Sequence, residues 1–163
     1  IRYVPETGSV SVRLETAADG FESYRADFDR TVELQNRRDV EVARIVEHLD
    51  GATTTEAVVC EYAGEPVGFA LFFLNFSTWL GRNGLYLEDL YVAPAHRGRG
   101  CGKALLVHLA RRAVELGCGR FEWSVLDWNE PAIRFYESLG ARPLGEWVGY
   151  RLEGKALREL AGI

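Results

Sequence analysis

The sequence predicts an α/β domain in which a mixed sheet carries helices on both faces. Three observations lead there. The middle of the chain is a series of short apolar segments separated by Gly and Pro turns, as in an antiparallel meander. Past residue 92 the hydrophobic period changes from two to 3.6. From that point strands and helices alternate, and such crossovers imply parallel pairing.

The elements follow in order. Residues 1–9 show no pattern and read as a possible N-terminal tail, leaving 10–163 as a single domain. Val10, Val12 and Leu14 alternate with polar residues, a short strand signal. Phe21, Tyr24, Phe28 and Val32 have helical spacing, and so do Val42, Ile45, Val46 and Leu49 before Asp50-Gly51. Residues 57–63 read as a strand and 64–66 as a turn. The apolar run 67–76 reads as a strand covered on both faces. A turn is expected at 81–84, where Asn83-Gly84 is a hairpin signal, followed by a strand to residue 92.

Pro94 ends that strand, and the glycine-rich stretch 96–102 leads into a helix. Its apolar face is Leu105, Leu106, Leu109, Ala110, Ala113 and Leu116, with Gly117 at the C-terminal cap. Residues 121–126 read as a strand. Asn129 is a good N-cap, and Pro131 falls in the first turn of a helix that Gly140 closes. Residues 144–152 read as a final strand, with a short helix from Lys155.

Composition narrows the function. The 163 residues suit one domain, and 47% hydrophobic with 26% charged residues is globular rather than disordered. A net charge of -5 makes non-specific nucleic-acid or membrane binding a poor fit. No apolar run approaches the roughly 18 residues of a membrane span, and no signal pattern opens the chain. Cys60, Cys101 and Cys118 form no CxxC pair and no metal-ligand spacing. Their odd number, without a secretory signal, reads as reduced thiols in the cytoplasm. A start at Ile1 rather than Met is what a processed, trimmed or partial chain shows.

Residues 90–114 are a basic island in this acidic chain. They hold Arg97, Arg99, Lys103, Arg111 and Arg112 and no acidic residue. The island is either a solvated helix face or a site for a small polyanion. Arg97-Gly98-Arg99-Gly100-Cys101-Gly102 lies between a strand and a helix, where free N–H groups and the helix dipole favour an anion. It lacks the P-loop Gly-Lys-Ser/Thr and the GxGxxG spacing. A turn required only by geometry is the plainer alternative.

Glu88 and Asp89 lie inside the strand ending at residue 92, and alternation predicts opposite faces for them. Carboxylates in a central strand are costly unless paired or lining a cavity. A salt bridge accounts for one; a general base accounts for the other. Tyr136, on an apolar helical face, reads either as core or as a functional phenol. His48, His96 and His108 are scattered, and no metal site is expected.

Taken together these stretches resemble the GNAT superfamily of acetyl-CoA-dependent N-acetyltransferases. Arg97-x-x-Gly100-x-Gly102 is similar to its pyrophosphate loop. The nearer likeness is to the spermidine/spermine (diamine) and thialysine acetyltransferases. It is carried by GFALFF (68–73), TWLG (78–81), YLEDLYV (86–92), the RGRGCG loop and WNEPAIRFYESLGA (128–141). Residues 20–55 depart from that pattern, and the Tyr-Glu element that helps bind polyamines is not evident there. Glu146-Trp147 and Tyr150 match the polyamine contacts loosely.

The resemblance implies a GNAT-like, mostly antiparallel sheet of six to seven strands and acetyl-CoA as co-substrate. It implies direct attack by a primary amine of a diamine, polyamine or thialysine/lysine analogue. Glu88 would be the base and Tyr136 the acid. Leu90, Tyr91 and Val92 would bind the pantetheine, with one amide on the thioester carbonyl. Residues Arg97, Gly98, Arg99, Gly100, Cys101, Gly102 and Lys103 would hold the phosphates. Asn129 and Tyr136 would contact the coenzyme near its thiol. Trp79, Glu88 and Asp89 would line the amine side. A homodimer is implied, with neither nucleic acid nor membrane as partner. Two alternatives stand beside this: acetylation of a protein N-terminus or lysine, and a non-catalytic acyl-CoA-binding regulatory domain.

Overall fold

A computed structural model describes residues 2–3, 10–15 and 55–163. Within them two compact units separate, Ile1–Ser124 and Val125–Ile163. The helical spacings read at 21–32 and 42–49 lie outside the described residues.

The first unit holds a six-stranded sheet in chain order: β1 Arg2–Tyr3, β2 Val10–Glu15, β3 Thr55–Tyr62, β4 Glu65–Ser77, β5 Arg82–Val92 and β6 Phe121–Trp123. Neighbours from β1 to β5 are antiparallel, and β5 with β6 is parallel. The sheet is thus mixed and mostly antiparallel, as predicted. The stretch 1–9, which carries no pattern, contributes β1.

Helix α1, Cys101–Glu115, returns the chain from β5 to β6. Its buried residues Cys101, Ala104, Leu105, Leu106, Leu109 and Ala113 recur at helical spacing. Register places Cys60 and Glu56 of β3 on one face of the sheet, opposite Gly68 and Phe72. That face receives α1: Cys60 Sγ donates to the Cys101 carbonyl at 3.9 Å, and Arg112 pairs with Glu56 at 3.7 Å. The other face is buried too, through Ala57, Val59, Phe69 and Leu71, so β4 is covered on both sides from Val67 to Phe72, short of the expected 67–76, since Phe76 is exposed.

One expected turn moves. The β4–β5 reversal lies at residues 78–81, where Gly81 N donates to the Ser77 carbonyl at 2.9 Å. Asn83-Gly84 belongs to β5 instead. Gly84 is buried where a Cβ would come within 2.5 Å of Asn75 Oδ1 and 2.8 Å of Arg120 Cγ, so the glycine serves close approach rather than the turn.

The second unit holds α2, Glu130–Ser138, and α3, Gly154–Ala161. The strand expected at 144–152 is absent. That segment is irregular, with a turn in which Trp147 N donates to the Leu144 carbonyl at 3.2 Å. Leu144, Trp147, Val148 and Tyr150 are exposed. A strand needs a neighbour for its N–H and C=O groups, and apolar residues alone do not supply one.

Candidate active site

The site grows from an irregularity in β5. Phe72 pairs with Leu87 and Leu71 with Asp89, so Glu88 is an extra residue without a partner on β4. Such a bulge kinks the strand and shifts its alternation by one. Leu85 and Leu87 therefore share a face with Leu90 and Val92, while Asp89 joins Tyr86 and Tyr91 on the other. Ring pairs across the β4–β5 ladder agree: Phe73 with Tyr86 at 5.2 Å and Phe69 with Tyr91 at 5.6 Å. The bulge interrupts the simple alternation from which opposite faces are expected for Glu88 and Asp89, Glu88 being the extra residue itself. Glu88 is exposed and Asp89 half-buried.

The bulge also redirects the backbone amides. Ala93 N donates to the Val67 carbonyl on β4 at 2.9 Å. Alternation then turns the N–H groups of Leu90 and Val92 toward the other edge. On that edge β6 pairs only with Leu85, Tyr86 and Leu87. Beyond Leu87, β5 runs on with no β6 partner. The two strands open at the carboxyl end of a parallel pair, where ligands of α/β sheets bind. Among the cofactor candidates, Leu90 and Val92 offer amides to this gap, while Tyr91 is buried under Phe69.

After β5 a short 3-10 turn, Pro94–His96, swings the chain round. Arg97 Nε donates to the Val92 carbonyl at 2.9 Å, tying the loop to the strand end. Gly98 and Gly100 have φ of 73° and 88°, left-handed values that favour glycine. Gly100 is the N-cap of α1, and no acidic residue lies in the helix's first turn. The first N–H groups of a helix lack intrahelical acceptors, so this end of α1, with Arg97, Arg99 and Lys103 exposed around it, suits a phosphate. Arg99 is drawn toward β3: its guanidinium carbon lies 5.3 Å from the centre of the Tyr62 ring. Cys101 at the helix start is fully buried, and burial pushes its thiol up, as it does for Cys60 beside it. Neither has the electropositive, exposed setting of a reactive thiol.

In the second unit Asn129 caps α2, its side-chain oxygen accepting from Ala132 N at 3.4 Å. Pro131 occupies the first turn, as predicted. The cap uses the amide oxygen and leaves the NH2 group as Asn129's donor for a ligand. Tyr136 lies seven residues on, tilted against Phe135 at 5.4 Å. Burial pushes its phenol above the ordinary tyrosine range.

The structure thus gathers Glu88, Asp89, Leu90, Val92 and residues 97–103 along one strand end and the helix that follows. It places Trp79 elsewhere. Trp79 stands on the β4–β5 turn, 87% exposed and about 20 Å along the strand from Glu88. Sequence reasoning missed Tyr62 and His96, whose rings pack at 5.8 Å beside the loop. His96 opens the glycine-rich stretch, but Tyr62 lies 34 residues earlier, and nothing local links the two. Among the described residues no group of three or more His, Cys, Asp or Glu is arranged to hold a metal ion. Nor is any helix there long and apolar enough to cross a membrane.

Comparison with known proteins bears on the fold and the family. In solved structures, the fold matches an integron cassette protein from the mobile metagenome of V. cholerae with TM-score 0.79 and 24% identity, covering 93% of this chain and 97% of that one. It also matches a ribosomal-protein-alanine N-acetyltransferase from Brucella melitensis with TM-score 0.70 and 22% identity, covering 89% and 99%. Among curated proteins, thialysine N-epsilon-acetyltransferase of Sus scrofa is 48% identical over 61% of this chain and 62% of its own. The L-ornithine N5-acetyltransferase of Arabidopsis thaliana is 47% identical over 57% and 41%. A human spermidine/spermine N(1)-acetyltransferase-like protein is 37% identical over 53% and 12%. The matches span about three fifths of the thialysine relatives' own length. The family model for acetyltransferases (GNAT) matches residues 18–141. The chain belongs to the GNAT acetyltransferase family.

Proposed function

We propose that this chain transfers the acetyl group of acetyl-CoA to a primary amine of a small cationic substrate. The observation that carries the reading is β5, bulged at Glu88, open toward β6 beyond Leu87 and running into a left-handed glycine loop at a helix start. That arrangement fits the coenzyme in order. The amides of Leu90 and Val92 would take the pantetheine and polarise the thioester carbonyl. The N–H groups at residues 98–102 and the basic side chains would take the pyrophosphate.

The amine needs a base. An alkylammonium has a pKa of about 10, so little of it is nucleophilic at neutral pH. Glu88, exposed at the bulge, would remove its proton directly or through a water. The free amine attacks the thioester carbon, the C–S bond breaks, and the thiolate leaves. Tyr136 would give its proton to that thiolate, and the newly acylated nitrogen would lose its remaining extra proton, restoring the phenol directly or through water. A phenol pushed up by burial stays protonated at neutral pH, and so remains an acid. Glu88 and Asp89 would favour a cation on the amine side. The placement of Trp79 gives its assignment to that side no support.

The names of the relatives point to thialysine, ornithine and polyamines as amines to try. The test is acetyl-CoA turnover across such a panel, with an N-terminal peptide and a lysine peptide alongside, read by thiol release. Turnover of a small diamine or lysine analogue supports the reading. Turnover of peptides alone, or binding without turnover, overturns it.

We further infer a homodimer in the cytoplasm. The exposed apolar residues at 144–152 want a neighbour, and a second copy supplies one. The free cysteines suit a reducing compartment. A monomer mass by light scattering at micromolar concentration contradicts the dimer.

A further inference from the structure

We propose that Tyr62 is a positioning residue for the coenzyme, holding the glycine loop in its binding shape by gripping His96 and Arg99 with its ring. The inference deepens the acetyl-CoA reading above and rests on it.

The loop has an intrinsic difficulty. Gly98 and Gly100 are needed for their left-handed backbone, yet glycine loses more conformational freedom on ordering than any other residue. A loop that orders only when the anion arrives gives up binding energy to that ordering. Something must hold it beforehand.

The structure provides anchors on both sides of Gly98. Before it, the His96 ring lies against Tyr62, centroids 5.8 Å apart and tilted by 55°. After it, the Arg99 guanidinium lies over the same ring at 5.3 Å, a cation–π distance. Between them, Arg97 Nε holds the Val92 carbonyl at 2.9 Å. Residues 96, 97 and 99 are thus each fixed by a side chain, and Tyr62 holds two of the three.

Tyr62 is itself well placed to be a fixed point. It is the last residue of β3, paired with Val10 on β2 and Glu65 on β4. Two residues earlier, Cys60 contacts the carbonyl of Cys101 at the start of α1. The end of β3 therefore supports the loop through Tyr62 and the helix start through Cys60. With its guanidinium on the ring, Arg99 keeps its charge near the helix start without needing to be ordered by the ligand.

The test is equilibrium binding of acetyl-CoA, with amide hydrogen exchange of the ligand-free protein. Tyr62→Leu keeps apolar bulk and removes the ring, and its dissociation constant should rise about three- to tenfold, as loss of a cation–π contact and loop ordering imply. Amides 97–102 should exchange faster in it, while those of β4 stay as in the parent. Tyr62→Phe keeps the ring and should bind within about twofold of the parent. Tyr62→Leu should cost less in an Arg99→Leu background, because the two act through one contact. Arg99 is exposed, so Arg99→Leu alone, read by faster exchange at 97–102, tests the grip even if Tyr62→Leu does not fold. Parent affinity and parent exchange in Tyr62→Leu, or unchanged loop exchange in Arg99→Leu, overturn the proposal. Gly100→Val separates this from the reading beneath it. If Gly100→Val also binds acetyl-CoA as the parent does, the loop is not the coenzyme site. If Gly100→Val loses tenfold or more while Tyr62→Leu binds normally, only the role of Tyr62 falls.

Discussion

The two halves of β5 share one strand and differ in almost everything else. From Arg82 to Leu87 the strand pairs with β4, from Leu85 to Leu87 it pairs with β6 as well, and Leu85 and Leu87 are buried. From Glu88 to Val92 it has β4 on one side only, and among these five residues only Tyr91 is buried. The first half has its backbone groups paired by β4, by β6 and by residues 119–120 just before β6. The second holds two amides toward an open edge. One extra residue, Glu88, separates the two regimes. A sheet can thus keep a rigid base and expose main-chain donors a few residues further along, without a loop between them.

That contrast predicts which half a substitution should damage. Leu85→Ala strikes the packed half, where the side chain is fully buried. It should lower stability by about 2–5 kcal/mol, measured by denaturant unfolding, with folded protein keeping its affinity for acetyl-CoA. An unaltered midpoint would erase the distinction.

Glu88→Gln strikes the hinge of the open half. Turnover at neutral pH should fall by about 10²-fold or more, with stability within roughly 0.5 kcal/mol of the parent, as for an exposed site. Activity should recover in part toward pH 9–10, where more amine is free. A pH profile parallel to the parent's would remove Glu88 from the role of base.

Tyr136→Phe extends the comparison to the second unit. As an acid, its loss should cost about 10²-fold in turnover with coenzyme binding near the parent's. High pH should not rescue it, because free amine does not improve a poor leaving group. The phenol's own pKa sets the sign of a further effect. It is raised by burial, so the parent's acid function should last to and beyond the ordinary tyrosine range of about 10 and fail only above it. The same shift acts on stability: the neutral phenol's contribution is intact below pH 10 and is lost as pH climbs past it, where the unfolded chain ionises first. Parent-like turnover by Tyr136→Phe from pH 6 to 9 would make the hydroxyl structural.

Much of this was legible from local patterns. Asn129 and Pro131 announce the start of α2, and the structure shows the cap they predict. Of the expected apolar face of α1, Leu105, Leu106, Leu109 and Ala113 are buried, while Ala110 and Leu116 are exposed. The loop at 97–102 is readable because its two left-handed positions are both glycines. At residues 83–84 the same logic failed, since a glycine demanded by Asn75 and Arg120 looks in sequence like one demanded by a turn. At 144–152 an expected strand is absent, and its apolar residues are exposed.

What the sequence determined by itself is the set of features that a few neighbouring residues impose on one another: helix caps, apolar stripes, the glycine loop, the family motifs and the order of elements from β3 to α2. Tertiary structure decided whatever depends on a partner distant in the chain. Glu88 is a bulge only because Leu71 and Phe72 pair on either side of it. Leu90 and Val92 face an open edge only because β6 ends at Trp123. Tyr62 grips Arg99 only because β3 ends beneath the loop. Backbone propensity is local, while pairing, register and side-chain contact are relations between segments that meet only after the chain has folded.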